Sequence, residues 1–222
     1  MWPAVSAPSL SESRSAVLFD VDGTLLDTLP NLRRVWASWA LRHDLDAELV
    51  WQTALVTRPL ETFAKVSPTL DPARCLKALH EIEDDDARNG DYTAYDGASE
   101  LLSALRPDSW AIVTGNYAHR VRIRFDRLGL ALPHVIVDAD TVTRGKPHPE
   151  GYMLAARALG CSPEKCLALE DGESGLAAAR NAGLTVWAVN ANSDSPGVEG
   201  ADRVYPTLKL AAENVIRWLA AR

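Results

Sequence analysis

The sequence predicts an α/β protein: a parallel β-sheet covered on both faces by helices, with an all-helical block inserted near its start. Three observations predict it. Short, nearly all-apolar runs such as Ala16-Val17-Leu18-Phe19, Trp110-Ala111-Ile112-Val113 and Cys166-Leu167-Ala168-Leu169 alternate with segments whose apolar residues recur at helical spacing. Runs apolar throughout suit strands buried on both faces. Between Leu29 and Tyr92, in contrast, helical stretches follow one another without strand-like alternation.

The chain opens on a Ser- and Pro-rich stretch, Met1 to Ser15, with neither a basic start nor an apolar signal core, and residues 1–15 read as a loose tail. The first strand runs into Asp20-Val21-Asp22-Gly23-Thr24-Leu25-Leu26-Asp27-Thr28. If that strand continues to Asp22, both acids face one side at its carboxyl end, and Gly23 frees the backbone for a sharp turn. Asp27 or Thr28 caps the next helix with Pro30 in its first turn. There Leu32, Val35, Trp36, Trp39 and Ala40 form an apolar stripe, and the two tryptophans pack the helix into a core. Further helices are expected over Ala47–Val56, Leu60–Val66 and Pro72–Arg88, and the acidic run Glu81 to Asp86 reads as a solvated helix face. Residues 29–93 thus form an inserted helical unit, with 16–28 and 94–222 as the main domain. From Asp96-Gly97-Ala98 onward the main domain resumes. Strands are expected at Trp110–Val113, Val135–Val137, Cys166–Leu169 and Thr185–Val189, with a short edge strand in Asp202–Tyr205. Helices lie between the strands, and Leu208–Ala220 closes the chain.

The 222 residues suit one large domain or one domain with an insertion. The 47% apolar residues suffice for a packed core, and the net charge of −7 argues against a nucleic-acid partner, which needs a basic face. No apolar run reaches membrane-spanning length. Cys75, Cys161 and Cys166 have neither a paired framework nor metal-ligand spacing, so reduced thiols and a cytoplasmic location are expected. A monomer and a small homo-oligomer both stay open.

A parallel sheet brings its carboxyl ends to one edge, so four strand ends meet there: Asp20/Asp22, Thr114-Gly115-Asn116, the loop of Lys146, and Glu170/Asp171. Taken singly, each has a plain structural role open to it: an acidic turn, a helix cap, a surface lysine, a polar strand end. Two close carboxylates are relieved by a cation or a shared proton, and one can serve as nucleophile with its neighbour as acid and base. Oxygens of Asp20, Asp171 and Glu170 suit a hard ion such as magnesium. Thr114 with the Gly115 and Asn116 N–H groups at a helix start can cradle a phosphate, and Lys146 adds a point charge. Together they supply what phosphoryl transfer to a carboxylate needs. Arg58, in the helix-breaking Thr57-Arg58-Pro59, is equally a phosphate-gripping loop residue or a solvated arginine.

These four motifs, in this order and spacing, resemble those of the haloacid dehalogenase superfamily of phosphohydrolases. Asp20 to Thr28 resembles the first motif, Thr114-Gly115-Asn116 the second, Lys146 in Gly-Lys-Pro-His-Pro-Glu the third, and Glu170-Asp171 with Gly175 the fourth. The resemblance implies a Rossmann-like, three-layer α/β/α core with a small helical cap, as in the subgroup of sugar-, polyol- and glycolate-phosphate phosphatases and β-phosphoglucomutase. It further implies that Asp20 becomes an aspartyl phosphate while Asp22 protonates the leaving alcohol and later deprotonates water. Mg2+ would sit on Asp20, the Asp22 carbonyl and Asp171, with Glu170 as ligand or behind the ligands. Thr114, Gly115, Asn116 and Lys146 would hold the phosphoryl group, and Arg58 occupies the position of a substrate-reading cap residue, although Thr57 stands where a glycine is often found. The expected function is hydrolysis of a small phosphorylated metabolite. A phosphomutase is the enzymatic rival; a receiver-like or catalytically dead phospho-ligand-binding protein is the rival of another class. Asp22 argues against a dehalogenase, and the insert's lysines, Lys65 and Lys77, lie in no motif that suits a phosphonate hydrolase.

Overall fold

The computed structural model describes residues 14–55 and 57–221. The tail read over residues 1–15 falls, up to residue 13, outside the described residues. Contacts divide the chain into two compact units, one built from residues up to Asp27 together with those from Thr93 onward, the other from Thr28–Tyr92.

In the first unit β1 is Ala16–Phe19, all four residues fully buried. A two-residue strand β2, Leu26–Asp27, precedes the second unit's four helices, α1 (Leu29–Arg42), α2 (Ala47–Ala54), α3 (Pro59–Val66) and α4 (Pro72–Asn89). The chain returns through β3 (Thr93–Ala94) and continues as α5 (Ala98–Ala104), β4 (Trp110–Val113), α6 (Ala118–Leu128), β5 (Val135–Val137) and α7 (Glu150–Ala158). It ends with β6 (Cys166–Glu170), α8 (Glu173–Asn181), β7 (Thr185–Ala188), β8 (Arg203–Val204) and α9 (Leu208–Ala220). The main sheet has the order β5-β4-β1-β6-β7-β8, parallel throughout. A separate antiparallel ribbon, β2-β3, was not expected from the sequence.

Alternate residues of the strands feed two apolar layers. Val17, Phe19, Ile112, Leu167 and Leu169 pack against α5, α6 and α9; Leu18, Ala111, Val113 and Ala168 pack against α7 and α8. The second layer is rich in alanine, which lets its helices lie close: a Cβ on Gly151 of α7 would stand 3.0 Å from Val113 Cγ1. Each large aliphatic or aromatic side chain buried in these layers contributes about 1.5–3 kcal/mol. This is a Rossmann-like three-layer α/β/α fold. From β1 the chain builds outward to β4 and β5, then crosses to β6, β7 and β8 on the other side. That reversal opens a crevice at the carboxyl ends of β1 and β6, where ligands bind in such sheets.

The second unit has its own core. Trp39 stacks on Phe63 with ring centroids 4.8 Å apart, Trp36 meets Trp39 edge-on, and Trp39 Nε1 donates to the Cys75 carbonyl at 3.1 Å. The two tryptophans are core residues, as their spacing predicts. Asp46 caps α2 and Asp71 caps α4, each accepting backbone N–H bonds of the first turn. Two expectations need correction. Leu32 was placed in the apolar stripe but is 39% exposed, because α1 buries Val35, Trp36, Trp39 and Ala40 and turns Leu32 off that face. Asp86 was read as part of a solvated run but is buried; it accepts from Asn31 Nδ2 (3.0 Å), Arg34 Nη2 (2.7 Å) and Tyr92 Oη (2.5 Å).

Candidate active site

The register Phe19↔Leu169 sets Asp20 beside Glu170, and Asp20 N–H donates to the Leu169 carbonyl at 3.1 Å. Beyond Asp20 the extended strand expected to reach Asp22 does not continue. The Val21 carbonyl accepts the N–H groups of Thr24, Leu25 and Leu26 (3.3, 2.9 and 3.0 Å), winding the chain into a turn. Gly23 has φ +92°, and a Cβ there would fall 2.0 Å from Asp171 Oδ2. The glycine therefore allows both the turn and the close approach of Asp171. Asp20 and Asp22 consequently meet different partners instead of sharing one strand face.

Asp20 Oδ1 accepts from Lys146 Nζ at 2.5 Å, and Lys146 also lies 2.6 Å from Glu170 Oε1. Tyr152 Oη donates to that same Glu170 oxygen. A Cβ at Gly175 would meet the Glu170 carboxyl at 2.1 Å, so the first turn of α8 leaves room for this side chain. Asp171 Oδ1 accepts from Thr24 Oγ1 at 3.1 Å. Oxygens of Asp20, Glu170 and Asp171 all lie within 4.8 Å of one another. Burial pushes the Asp20 carboxyl up to about 7, against Lys146 and with help from Glu170 and Asp22. Burial, reinforced by Asp20, likewise raises Asp171 to about 7, and burial raises Glu170. For Lys146, burial favours the neutral amine, but Asp20 and Glu170 outweigh it and hold the ammonium above its usual value. Two buried carboxylates and the half-buried Asp171 face one lysine, an oxygen-rich set that fits a further hard cation.

Thr114 follows β4 and is buried. The sequence predicts the next helix over Ala118–Leu128, and α6 has those bounds; Gly115 and Asn116 lie in the turn that leads into it. Asn116 N–H donates to Thr114 Oγ1 (3.0 Å), Tyr117 N–H to Asn116 Oδ1 (2.9 Å) and Ala118 N–H to Asp138 Oδ2 (2.8 Å). Gly115 N–H makes no hydrogen bond among the described residues. Burial works against ionised Asp138, yet the bonds from Thr141 and Ala118 outweigh it and hold its carboxyl below the usual range. A cavity of about 250 Å³ lies beside Thr114, Gly115 and Lys146 and is also lined by Arg144, His148 and Tyr152.

Asp22 accepts from Arg124 Nη1 at 2.9 Å and from Asn116 Nδ2 at 3.3 Å. Arg58 belongs to the second unit, where it is exposed at the residue preceding α3.

A family model described as haloacid dehalogenase-like hydrolase matches residues 15–183. The chain belongs to the haloacid dehalogenase-like hydrolases. This hydrolase is 38% identical over 199 residues to hexitol phosphatase A of Escherichia coli (strain K12), covering 86% of this chain and 90% of that protein. It is 30% identical over 196 residues to glycerol-1-phosphate phosphohydrolase 2 of Saccharomyces cerevisiae (strain ATCC 204508 / S288c), covering 83% and 78%. Among solved structures, CbbY from Rhodobacter sphaeroides in complex with phosphate superposes with a TM-score of 0.74 at 26% identity, covering 89% of this chain and 96% of that one.

Sequence reading of this hydrolase missed four residues that shape the site. Tyr152 and Thr24 hold Glu170 and Asp171. Asn190, at φ 53°, donates through Nδ2 to the Gly23 and Thr24 carbonyls (2.8 and 3.1 Å) while Oδ1 accepts from Leu208 N–H (2.9 Å), tying the Asp20 turn to α9. Arg124 carried a legible signal: it sits next to Phe125 and one turn after Arg120 and Val121, so a cation falls on the buried side of α6. The other three carried none, since they act through contacts between distant segments.

Proposed function

We propose that this phosphoric monoester hydrolase cleaves a small phosphorylated sugar, polyol or glycolate through an aspartyl phosphate on Asp20, with Mg2+ as cofactor. The observation that carries the reading is the meeting of Asp20, Lys146, Glu170 and Asp171 at the adjoining ends of β1 and β6, with Lys146 Nζ 2.5 Å from Asp20 Oδ1. The hexitol and glycerol-1-phosphate phosphatases among its relatives favour a polyol ester.

In this reading an Asp20 carboxylate oxygen attacks phosphorus. The bond from phosphorus to the ester oxygen breaks, its electron pair stays on that oxygen, and the Asp22 carboxyl proton moves there, releasing the alcohol. Water then attacks phosphorus, its proton passes to Asp22, and the bond to Asp20 breaks to release inorganic phosphate. Lys146, Thr114 Oγ1 and the Gly115 N–H hold the phosphoryl oxygens. Asn116 serves through its side chain on Asp22, because its N–H is taken by Thr114. Asp20, Asp171 and the Asp22 backbone carbonyl would hold Mg2+, while Glu170, bound by Lys146 and Tyr152, fixes the lysine behind them. When bound, the ion supplies charge neutralisation at the phosphoryl oxygens. Arg58 is the candidate reader of the substrate's distal end.

The test is phosphate release from a panel of hexitol, glycerol, sugar and glycolate phosphates, with Mg2+ and with EDTA, beside Asp20→Asn. Metal-dependent release abolished in Asp20→Asn is expected, fastest on polyol phosphates. Release that persists in Asp20→Asn would rule out the aspartyl-phosphate route.

A further inference from the structure

Arg124 is one of two arginines buried on α6, beside Val121 and Phe125. Its side chain is only 6% exposed, although guanidinium stays charged at any working pH. Nη1 donates to Asp22 Oδ1 at 2.9 Å, and Asn116 Nδ2 reaches the second oxygen, Oδ2, at 3.3 Å. Asn116 is itself fixed, since its Oδ1 accepts from Tyr117 N–H at 2.9 Å and from Arg120 Nη1 at 3.4 Å. Each Asp22 oxygen therefore has its own donor, and both donors come from the segment that follows β4. Such pairing sets the side-chain torsions of Asp22 before any substrate arrives, which removes an ordering cost from the reaction.

We propose that Arg124 is a positioning residue for the proton transfers of Asp22. The Arg124–Asp22 pair fixes where the carboxyl group lies relative to the leaving oxygen. The inference rests on the acid and base role given to Asp22 above. It differs from a purely structural pair, which would only satisfy a buried charge, in what it predicts for different leaving groups. In the first step the proton moves from Asp22 to the ester oxygen as the bond to phosphorus breaks. An alkoxide cannot leave without that proton, whereas 4-nitrophenolate leaves unaided. Misplacing Asp22 must then slow alkyl phosphates far more than 4-nitrophenyl phosphate.

The experiment measures kcat/KM, which reports steps through the first irreversible one, with saturating Mg2+ on the fastest alkyl phosphate and on 4-nitrophenyl phosphate. Wild type, Arg124→Met, Arg124→Lys, Asp22→Asn and the Asp22→Asn/Arg124→Met double variant are compared. Arg124→Met should lose roughly 10–100-fold on the alkyl ester, a share of what a general acid contributes, and less than about threefold on the aryl ester. Arg124→Lys should regain part of the loss, and adding Arg124→Met to Asp22→Asn should cost little more, as expected of two residues acting as one unit. Because the ratio is taken between two substrates in one sample, partial misfolding cancels. Equal losses on both esters, or full additivity with Asp22→Asn, would overturn the proposal. A wild type that cleaves neither ester would instead overturn the phosphatase reading on which it stands.

Discussion

Lys146 and Asp20, 126 residues apart in the chain, meet at 2.5 Å between Nζ and Oδ1 at the crevice where the strand order reverses. The same ammonium reaches Glu170 at 2.6 Å, so one cation serves two buried acids. Removing it leaves both without their partner, which is costly for buried ion pairs. Lys146→Met is therefore expected to lower kcat/KM for phosphate release roughly 100–1000-fold, the scale of losing one electrostatic stabiliser. Steady-state phosphate assays with Mg2+ present check it; a loss below tenfold would remove Lys146 from the phosphoryl site.

Binding of the proposed Mg2+ at Asp20 and Asp171 would be linked to pH. Each is raised by burial from an ordinary 3.8 to about 7 in the metal-free protein. Between those two values the folded state binds more protons than the unfolded chain, so these groups make stability fall as pH rises from about 4 to about 7. The metal-free protein is expected to melt at a lower temperature near pH 8 than near pH 5.5. A divalent cation competes with those protons and stabilises the folded state by mass action. Added Mg2+ should raise Tm more at the higher pH. Melting curves in EDTA and in Mg2+ at both pH values decide it, and an equal Mg2+ effect at both would count against binding at these carboxylates.

Gly175 is expected to tolerate no side chain. A Cβ would stand 2.1 Å from the Glu170 carboxyl, which is hemmed in by Lys146 and Tyr152. Gly175→Ala should cost about 1–3 kcal/mol, as overpacking does, despite the better helix propensity of alanine. Denaturant unfolding measures it, and a stabilised variant would show that Glu170 can move freely.

In the second unit, Trp39 combines a stacked partner, Phe63, with a hydrogen bond to the Cys75 carbonyl. Trp39→Ala should destabilise that unit by about 3–5 kcal/mol, whereas Leu32→Ala on the exposed side of α1 should change stability by less than about 0.5 kcal/mol. Thermal unfolding of the two variants followed by circular dichroism provides the comparison.

Much of this was legible in the sequence because it depends on local pattern. The apolar runs gave β1, β4 and β6 nearly to the residue, since strands buried on both faces leave little choice of composition. Helix α4 was legible from Asp71-Pro72 and its apolar spacing. Asp20, Lys146 and Asp171 could be gathered because a parallel sheet collects its strand ends. The ribbon β2-β3 was not legible: two residues per strand carry no periodicity. The helix after Thr114 was legible from Ala118 onward, but the turn before it was not, because Asn116 and Asp138 hold that turn with side chains whose proximity follows from the tertiary fold alone. Asp86 looked solvated for the same reason, its partners Asn31 and Arg34 lying a helix away.

The ribbon has a consequence for how such a chain can diversify. Leu26–Asp27 and Thr93–Ala94 pair with each other inside the first unit, so the exit and re-entry points are stitched together before the intervening residues begin. For the α/β part, the entire Thr28–Tyr92 segment is topologically equivalent to a hairpin loop whose ends are already closed. Closure entropy grows only slowly with loop length. The segment can therefore be lengthened, shortened or exchanged as a cassette without disturbing the strand register that aligns Asp20 with Glu170. The α/β unit that carries Asp20, Lys146 and Glu170 and the helical Thr28–Tyr92 segment are thereby free to vary as separate pieces of one polypeptide.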